Sequence, residues 1–223
     1  MSKGILMVVS GPAGSGKGTV CRILRESGEF SVSVSRTTRN PRPGEVDGKD
    51  YLFSVSRTTR APRPGERDGV DYLFVTKEEF LSKLDEKDFL EYNEYCGNFY
   101  GTPKSTTEEA LAEGKNVILE IDVNGARQVK ENCPEAVLIM LLPPSFAVQE
   151  QRLRGRGTET EDKILKRLEQ THYELDQLSL YDYVVINGDG GQKAAADDIL
   201  SIVRAEKCAR RRNAEMQYKY FEN

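Results

Sequence analysis

One nine-residue run near the start of the chain constrains it more than any other: Gly11-Pro12-Ala13-Gly14-Ser15-Gly16-Lys17-Gly18-Thr19. It follows an apolar stretch, Ile5 to Val9, and opens a helical pattern from Lys17 to Glu26. The spacing is G-x-x-x-x-G-K, with the hydroxyl residue one place late because Gly18 follows the lysine. Glycines allow successive backbone N–H groups to point into one concavity. The helix N-terminus adds positive potential there, and Lys17 adds a full charge, so the run is built to cradle a chain of phosphates. A dinucleotide fingerprint does not fit, because its spacing differs and a lysine would project into the pyrophosphate site.

The rest of the chain suits a strand that feeds such a loop. Phe30–Ser35 reads as a strand, and Asn116–Ile121, Ala136–Leu142 and Tyr183–Ile186 are short runs, apolar on both faces, as strands of a covered parallel sheet are. Helical patterns lie between them. Thr76-Lys-Glu-Glu79 and Thr158-Glu-Thr-Glu161 have capping-box spacing, Gly114 ends a helix that begins near Thr106, and a last helix covers Gln192 to Arg212. The predicted class is α/β, a doubly wound parallel sheet of the P-loop type. At 223 residues there is room for one good core with small excursions.

One excursion is evident. Residues 36–104 turn rich in Pro, Gly, Arg, Thr and Tyr, with strand-like pieces and one helix at Lys77–Asp88, which predicts a small α+β unit inserted between strands. It contains a tandem repeat: Ser33–Phe53 recurs as Ser54–Phe74, matching at 18 of 21 positions. A period that occurs twice is a local duplication rather than a solenoid, which needs at least three units.

Composition narrows the function. The net charge of −4 gives no global attraction to nucleic acid or to an anionic membrane, so polyanion binding must rest on locally gathered arginines. Cys21, Cys96, Cys133 and Cys208 are scattered without a CxxC, which predicts reduced thiols and no zinc or disulfide framework. The apolar N-terminal run is too short for a signal sequence or a membrane span, so a cytoplasmic location is expected.

Three further features carry chemistry. No asparagine begins the N-K-x-D guanine clamp of a GTPase. Val117-Ile-Leu-Glu120-Ile-Asp122 is a strand ending in carboxylates, placed at the ligand edge of an open sheet, where acids hold Mg²⁺ or its waters or cap the next helix. Arg152, Arg154 and Arg156 sit on a glycine-flanked segment, with Arg167 eleven residues after Arg156, and can neutralise a transferring phosphoryl group. His172, the one histidine, has no catalytic partner pattern, and an anionic phosphate acceptor needs no general base.

Taken in order, GPAGSGKGT, SVS-x-TTR-x-PRPGE-x-DG-x-DY, FLEYNEYCGNFYGT, ILEIDVNG, RLRGRGTETE and YDYVVIN resemble guanylate kinases over about residues 4–210. The resemblance implies a kinase that moves the γ-phosphoryl of ATP to GMP, with Mg²⁺ and no nucleic-acid or membrane partner. It implies a core of residues 1–35 and 106–212 with a lid at about 150–162, a GMP-binding unit at 36–105, and a tail at 213–223. Residues Gly11 to Thr19 would hold ATP, with Thr19 at Mg²⁺ directly or through water. Lys17, Arg152, Arg156, Arg167 and Asp122 would surround the transferring group. Glu91 would read guanine with Thr102, Tyr100 would reach the GMP phosphate, and Asp122 would stand near both substrates.

Four phosphate ligands of that pattern exist twice: Ser35 or Ser56, Arg39 or Arg60, Arg42 or Arg63, Tyr51 or Tyr72. The spacing from Lys17 to Ser35 and from Tyr72 to Glu91 matches the family. The expected arrangement therefore uses Ser35 with Arg60, Arg63 and Tyr72, keeps the first copy's strand in the core sheet, and extrudes residues 36–56. Guanylate kinase-like domains also occur as non-catalytic interaction modules, the alternative against which the intact Lys17 loop and its arginines argue.

Overall fold

The computed structural model describes residues 3–26, 31–33, 51–54, 56–62, 68, 73–95, 97–155 and 160–221. In chain order these form β1 (Leu6–Ser10), α1 (Lys17–Glu26), β2 (Ser31–Ser33), β3 (Tyr51–Ser54), β4 (Arg57–Thr58), β5 (Leu73–Phe74), α2 (Lys77–Asp85), β6 (Phe89–Tyr95) and β7 (Asn98–Pro103). There follow α3 (Lys104–Ala112), β8 (Asn116–Glu120), α4 (Val123–Asn132), β9 (Val137–Leu142), α5 (Phe146–Gly155), α6 (Glu161–Asp176), β10 (Tyr183–Ile186), α7 (Gln192–Cys208) and a final turn α8 (Met216–Lys219).

Two sheets result. The larger has the order β10–β9–β1–β8–β3–β2 with every pair parallel. Alternation along β1 sends Met7 and Val9 to one face, against Val20 and Leu24 of α1 and Ile199 and Val203 of α7. Leu6 and Val8 pack on the opposite face against Ala110 of α3 and Ala126 and Val129 of α4. All five residues of β1 are buried, as are those of β9 save its last, so the doubly wound expectation holds. Because both faces are covered, the C-terminal ends of β1 and β8 form the open edge at which a ligand can sit.

The smaller sheet, β5–β4–β7–β6, forms the inserted unit. Its core is aromatic. Phe80 of α2 is fully buried, stacks on Phe89 with ring centroids 4.4 Å apart, and lies 5.4 Å from Phe99. The capping box read at Thr76 is present: its hydroxyl accepts from Glu79 N at 3.2 Å, and Glu79 accepts from Thr76 N at 2.8 Å.

Three expectations need correction. Strand β3, the last three residues of the first copy and the first of the second, stands directly beside β8 with Phe53 paired to Ile118, and β2, whose Ser33 opens the first copy, is an added strand outside it. Residues 51–54 therefore belong to the core sheet, and the segment 36–56 is not extruded as a block. The slot beside β8 is filled by long-range pairing, and the chain carries Phe-Ser-Val-Ser twice, at 30–33 and at 53–56. Helix α6 begins at Glu161 with Thr160 as its N-cap and no side-chain cap; Thr158, the expected cap, lies outside the described residues, and the Glu161 carboxylate is taken by Arg154 of α5. Helix α7 stops at Cys208 rather than Arg212. There Arg211 and Arg212 fold back onto the buried Glu206, and Asn213 Nδ2 donates to the Lys207 carbonyl at 2.8 Å.

Candidate active site

The glycine-rich run forms the tight turn between β1 and α1. Gly16 has φ +88°, and a Cβ there would lie 2.2 Å from Asn187 Nδ2, so both conformation and space demand glycine. That close approach has a use: Asn187 Nδ2 donates to the Ser15 carbonyl at 2.8 Å and anchors the loop to the end of β10. A second anchor comes from α5, where Gln149 Nε2 donates to the Ala13 carbonyl at 2.8 Å and is also 2.7 Å from Thr171 Oγ1 of α6. The loop is thus held by two side chains, Asn187 and Gln149, the second itself braced by Thr171, the arrangement a preformed anion cradle needs.

Lys17 lies folded back on the loop, its ammonium donating to the carbonyls of Gly11 and, at 3.5 Å, Pro12. Burial pushes its pKa down, while the carboxylates of Glu174, Glu120 and Asp122 oppose the shift. Arg152 reaches from α5 to the Asn187 carbonyl at 2.9 Å and to Asp189 at 2.8 Å. Its Nη1 is buried with no hydrogen-bond partner among the described residues, a donor that can serve an anion. Gly14, Gly16, Thr19, Arg152 and Asn187 line one cleft of about 520 Å³. Ala13, Asp122, Arg167 and Glu174 line a second of about 380 Å³ on the other side of the loop. Arg154, between the functional arginines in sequence, instead ties Glu150 to Glu161 and braces α5 against α6. Arg156 lies outside the described residues.

The inserted unit brings its own carboxylate. Glu91 on β6 pairs in register with Thr102 on β7, and the threonine hydroxyl donates to Glu91 Oε1 at 2.6 Å. Only 7% of Glu91 is exposed, and burial, helped by the negative charge of Asp122, pushes its pKa up to about 7 against the pull of the Thr102 hydroxyl. A Cβ on Gly125 would lie 3.1 Å from Glu91 Oε2, which places this carboxylate against the start of α4. Asp122 caps that helix, accepting from Gly125 N at 2.8 Å. Tyr100 precedes Thr102 by two on β7 and so shares its face of the strand.

Of the duplicated ligands, Tyr51, Ser56 and Arg60 are described. Ser56 follows β3 and accepts at its carbonyl from Leu73 N at 3.1 Å. The Arg60 guanidinium donates to the Ala61 carbonyl at 2.7 Å and lies 5.9 Å from the centre of the Phe74 ring. Tyr51 lies in β3. Ser35, Arg39, Arg42, Arg63 and Tyr72 fall outside the described residues. Sequence reasoning missed Gln149, Thr171, Asn187 and Glu174 as parts of the site. Asn187 had a signal, its place just past a strand's C-terminal end, and Glu174 had its spacing of seven from Arg167 on one helix.

A phosphate cradle at the open edge of a parallel sheet, flanked by helix arginines and faced by a buried carboxylate on an inserted sheet, defines a P-loop nucleotide-binding protein. A family model described as guanylate kinase matches residues 3–54 and again 52–204, the break falling within the repeat. The guanylate kinase of Clostridium tetani (strain Massachusetts / E88) is 46% identical over 208 residues, spanning 93% of this chain and 89% of that one. The guanylate kinase of Clostridium acetobutylicum is 45% identical over 206 residues, spanning 92% and 88%. The crystal structure of guanylate kinase from Anaplasma phagocytophilum superposes with a TM-score of 0.65 at 32% identity over 93% of this chain and 88% of that one. The chain belongs to the guanylate kinase family.

Proposed function

We propose that the protein transfers the γ-phosphoryl group of ATP to GMP, giving ADP and GDP. The observation that carries this is the buried Glu91, held by Thr102 on the inserted sheet and facing the phosphate loop's carboxylate neighbour Asp122. Guanine offers N1–H and N2–H₂ donors on one edge, whereas adenine presents an acceptor at N1, so an ionised carboxylate selects guanine. Tyr100 and Arg60 hold the acceptor's phosphate, with Arg63 and Tyr72 of the same copy. Of the two candidate serines Ser56 lies among the described residues, its carbonyl accepting from Leu73 N of the inserted sheet at 3.1 Å, which supports a place for Ser56 beside the acceptor unit.

Backbone N–H groups of residues 14–19 and the Lys17 ammonium hold the donor phosphates. Arg152 and Arg167, with Arg156 from the lid, neutralise charge on the transferring group. The donor set also fits Mg²⁺. Thr19 is an exposed residue on the first turn of α1, and Glu120 Oε1 lies 3.6 Å from where a Gly18 Cβ would be, so hard oxygen donors stand at this end of the loop. Thr19, directly or through water, and Glu120 or Asp122 through water would hold the ion, which neutralises β- and γ-phosphate oxygens when bound. We read residues 1–35 and 106–212, with 51–54, as the core, 36–105 otherwise as the acceptor unit, about 150–162 as the lid and 213–223 as the tail. Among the described residues no helix is long and apolar enough to cross a membrane. The substrates are small soluble nucleotides, and the proposed location is cytoplasmic.

An ADP-release assay offering GMP, AMP and UMP with Mg²⁺-ATP tests this. Turnover with GMP should exceed that with AMP by at least about 10⁴-fold in kcat/KM, the discrimination expected when a wrong base leaves buried groups unpaired. Comparable rates with AMP or UMP would refute the guanine reading.

The Glu91 carboxyl makes GMP binding pH-dependent. The ligand needs the ionised form, so affinity is full above pH 7 and weakens about tenfold per unit as the pH falls below it. Binding near pH 7 also releases a proton from Glu91. Calorimetry in buffers of different ionisation enthalpy should show that release in the native protein and its loss in Glu91→Gln. An affinity flat from pH 8 to 6 contradicts the assignment.

The duplication can be removed cleanly, because deleting 33–53 or 36–56 yields the same polypeptide. In it the strand that follows α1 can enter the slot beside β8 directly. The deleted protein is expected to fold and to keep GMP turnover, since what it loses is one added strand at the outer edge of the larger sheet, away from β1 and β8. Loss of activity in a folded deletion protein would mean that both copies contribute to the site.

A further inference from the structure

The Ala13-Gly14 corner of the phosphate loop is seated between helices α5 and α6. Ala13 packs against Leu153 of α5 and Ile164 and Leu168 of α6. Gly14 lies so close to α5 that a Cβ there would stand 3.3 Å from both Gln149 Cγ and Leu153 Cγ. Beside these apolar contacts runs a polar chain through two buried side chains, Gln149 and Thr171. A carbonyl can only accept, so the Ala13 oxygen, 2.8 Å from Gln149 Nε2, fixes which end of that amide faces the loop. The second Nε2 hydrogen goes to Thr171 Oγ1 at 2.7 Å. That hydroxyl turns its own hydrogen to the Arg167 carbonyl, 3.1 Å away and one helical turn back. Donors and acceptors alternate without a break from the loop to the residue that carries Arg167.

We propose that Gln149 and Thr171 are positioning residues for the phosphoryl transfer, fixing the phosphate loop and Arg167 relative to each other. The inference rests on the reading of the loop as the cradle of the donor phosphates and of Arg167 as a neutraliser of the transferring group. Neither side chain needs to touch a nucleotide. Across a trans peptide the C=O and N–H point in opposite directions, so holding the Ala13 carbonyl toward Gln149 turns the Gly14 N–H away from it. Gly14 is the first of the residues whose N–H groups serve the phosphates, and it lines the larger cleft. Thr171 acts at the other end of the chain. Its bond to the Arg167 carbonyl sets the helical turn from which the Arg167 side chain reaches the cavity lined by Ala13 and Asp122. Gln149 is therefore needed for the loop and the arginine, Thr171 for the arginine alone.

That asymmetry is the test. Thr171→Val keeps the shape and removes the hydroxyl. It should lower kcat for GMP phosphorylation by about fivefold or more while calorimetry shows ADP binding within about twofold of native, and Thr171→Ser, which keeps the hydroxyl, should restore kcat. Gln149→Met keeps the length and removes the donor. It should lower both kcat and ADP affinity by about tenfold, the scale on which small misplacements of reacting groups are felt. Because the two residues are links of one chain, the double variant should lose no more kcat than Gln149→Met alone. A role confined to packing would lower the melting temperature without separating kcat from ADP affinity. Native kcat in Thr171→Val, or a double variant whose loss is the product of the single losses, overturns the proposal. Should Gln149→Met fail to fold, Thr171→Val and Thr171→Ser decide the matter between them. If the native protein itself fails to bind ADP, the phosphate-cradle reading falls, and this inference falls with it.

Discussion

Lys17→Ala is expected to lower kcat by at least about 10²-fold while leaving the far-ultraviolet circular dichroism and the melting temperature close to native. The side chain makes only two hydrogen bonds among the described residues, both to carbonyls of its own loop, so its removal breaks no packing between elements. Burial already costs this ammonium, as its lowered pKa records, and shortening it relieves that cost. What is lost is the one full positive charge supplied by the loop itself, in a site where charge develops on the transferring oxygens. A variant that keeps more than about a tenth of native kcat would remove Lys17 from the chemistry, because a single lost donor of this kind typically costs about 10²–10³.

Glu91→Gln should lower kcat/KM for GMP by about 10⁴-fold with little change in affinity for ATP. The two side chains have the same shape, and the amide oxygen can still accept from Thr102 Oγ1 as Oε1 does at 2.6 Å. The second position then presents N–H₂ to the N–H donors of guanine, so two buried donors face each other and neither is satisfied. The melting temperature should not fall. The native carboxylate is 7% exposed with its pKa raised to about 7, so above that pH the native protein bears the cost of a buried charge that the amide avoids. Undiminished GMP turnover in this variant would show that the base is read elsewhere.

How much of this was legible in the sequence depended on distance along the chain. The phosphate loop, the Thr76 cap and the strands β1, β8, β9 and β10 are written in local spacing, and the structure places them within a residue or two of expectation. The pairing of Glu91 with Thr102 followed from the family resemblance and not from periodicity. The choice between repeat copies could not be read, since 18 of 21 positions coincide and the decision is made by hydrogen bonding to β8. Arg154 binds Glu161, a contact across the α5–α6 connection that no local pattern reveals. Gln149 was invisible for the same reason, because its partners Ala13 and Thr171 lie 136 and 22 residues away.

The central claim is that the phosphate loop and the Glu91 carboxylate serve one transfer between two nucleotides. It is tested most directly by following the label from [γ-³²P]ATP mixed with GMP, Mg²⁺ and the native protein. The account predicts that the label appears in the β-phosphate of GDP as unlabelled ADP accumulates, and that AMP in place of GMP leaves it on ATP. Label released as inorganic phosphate without GDP, or passed to AMP as readily as to GMP, would contradict it.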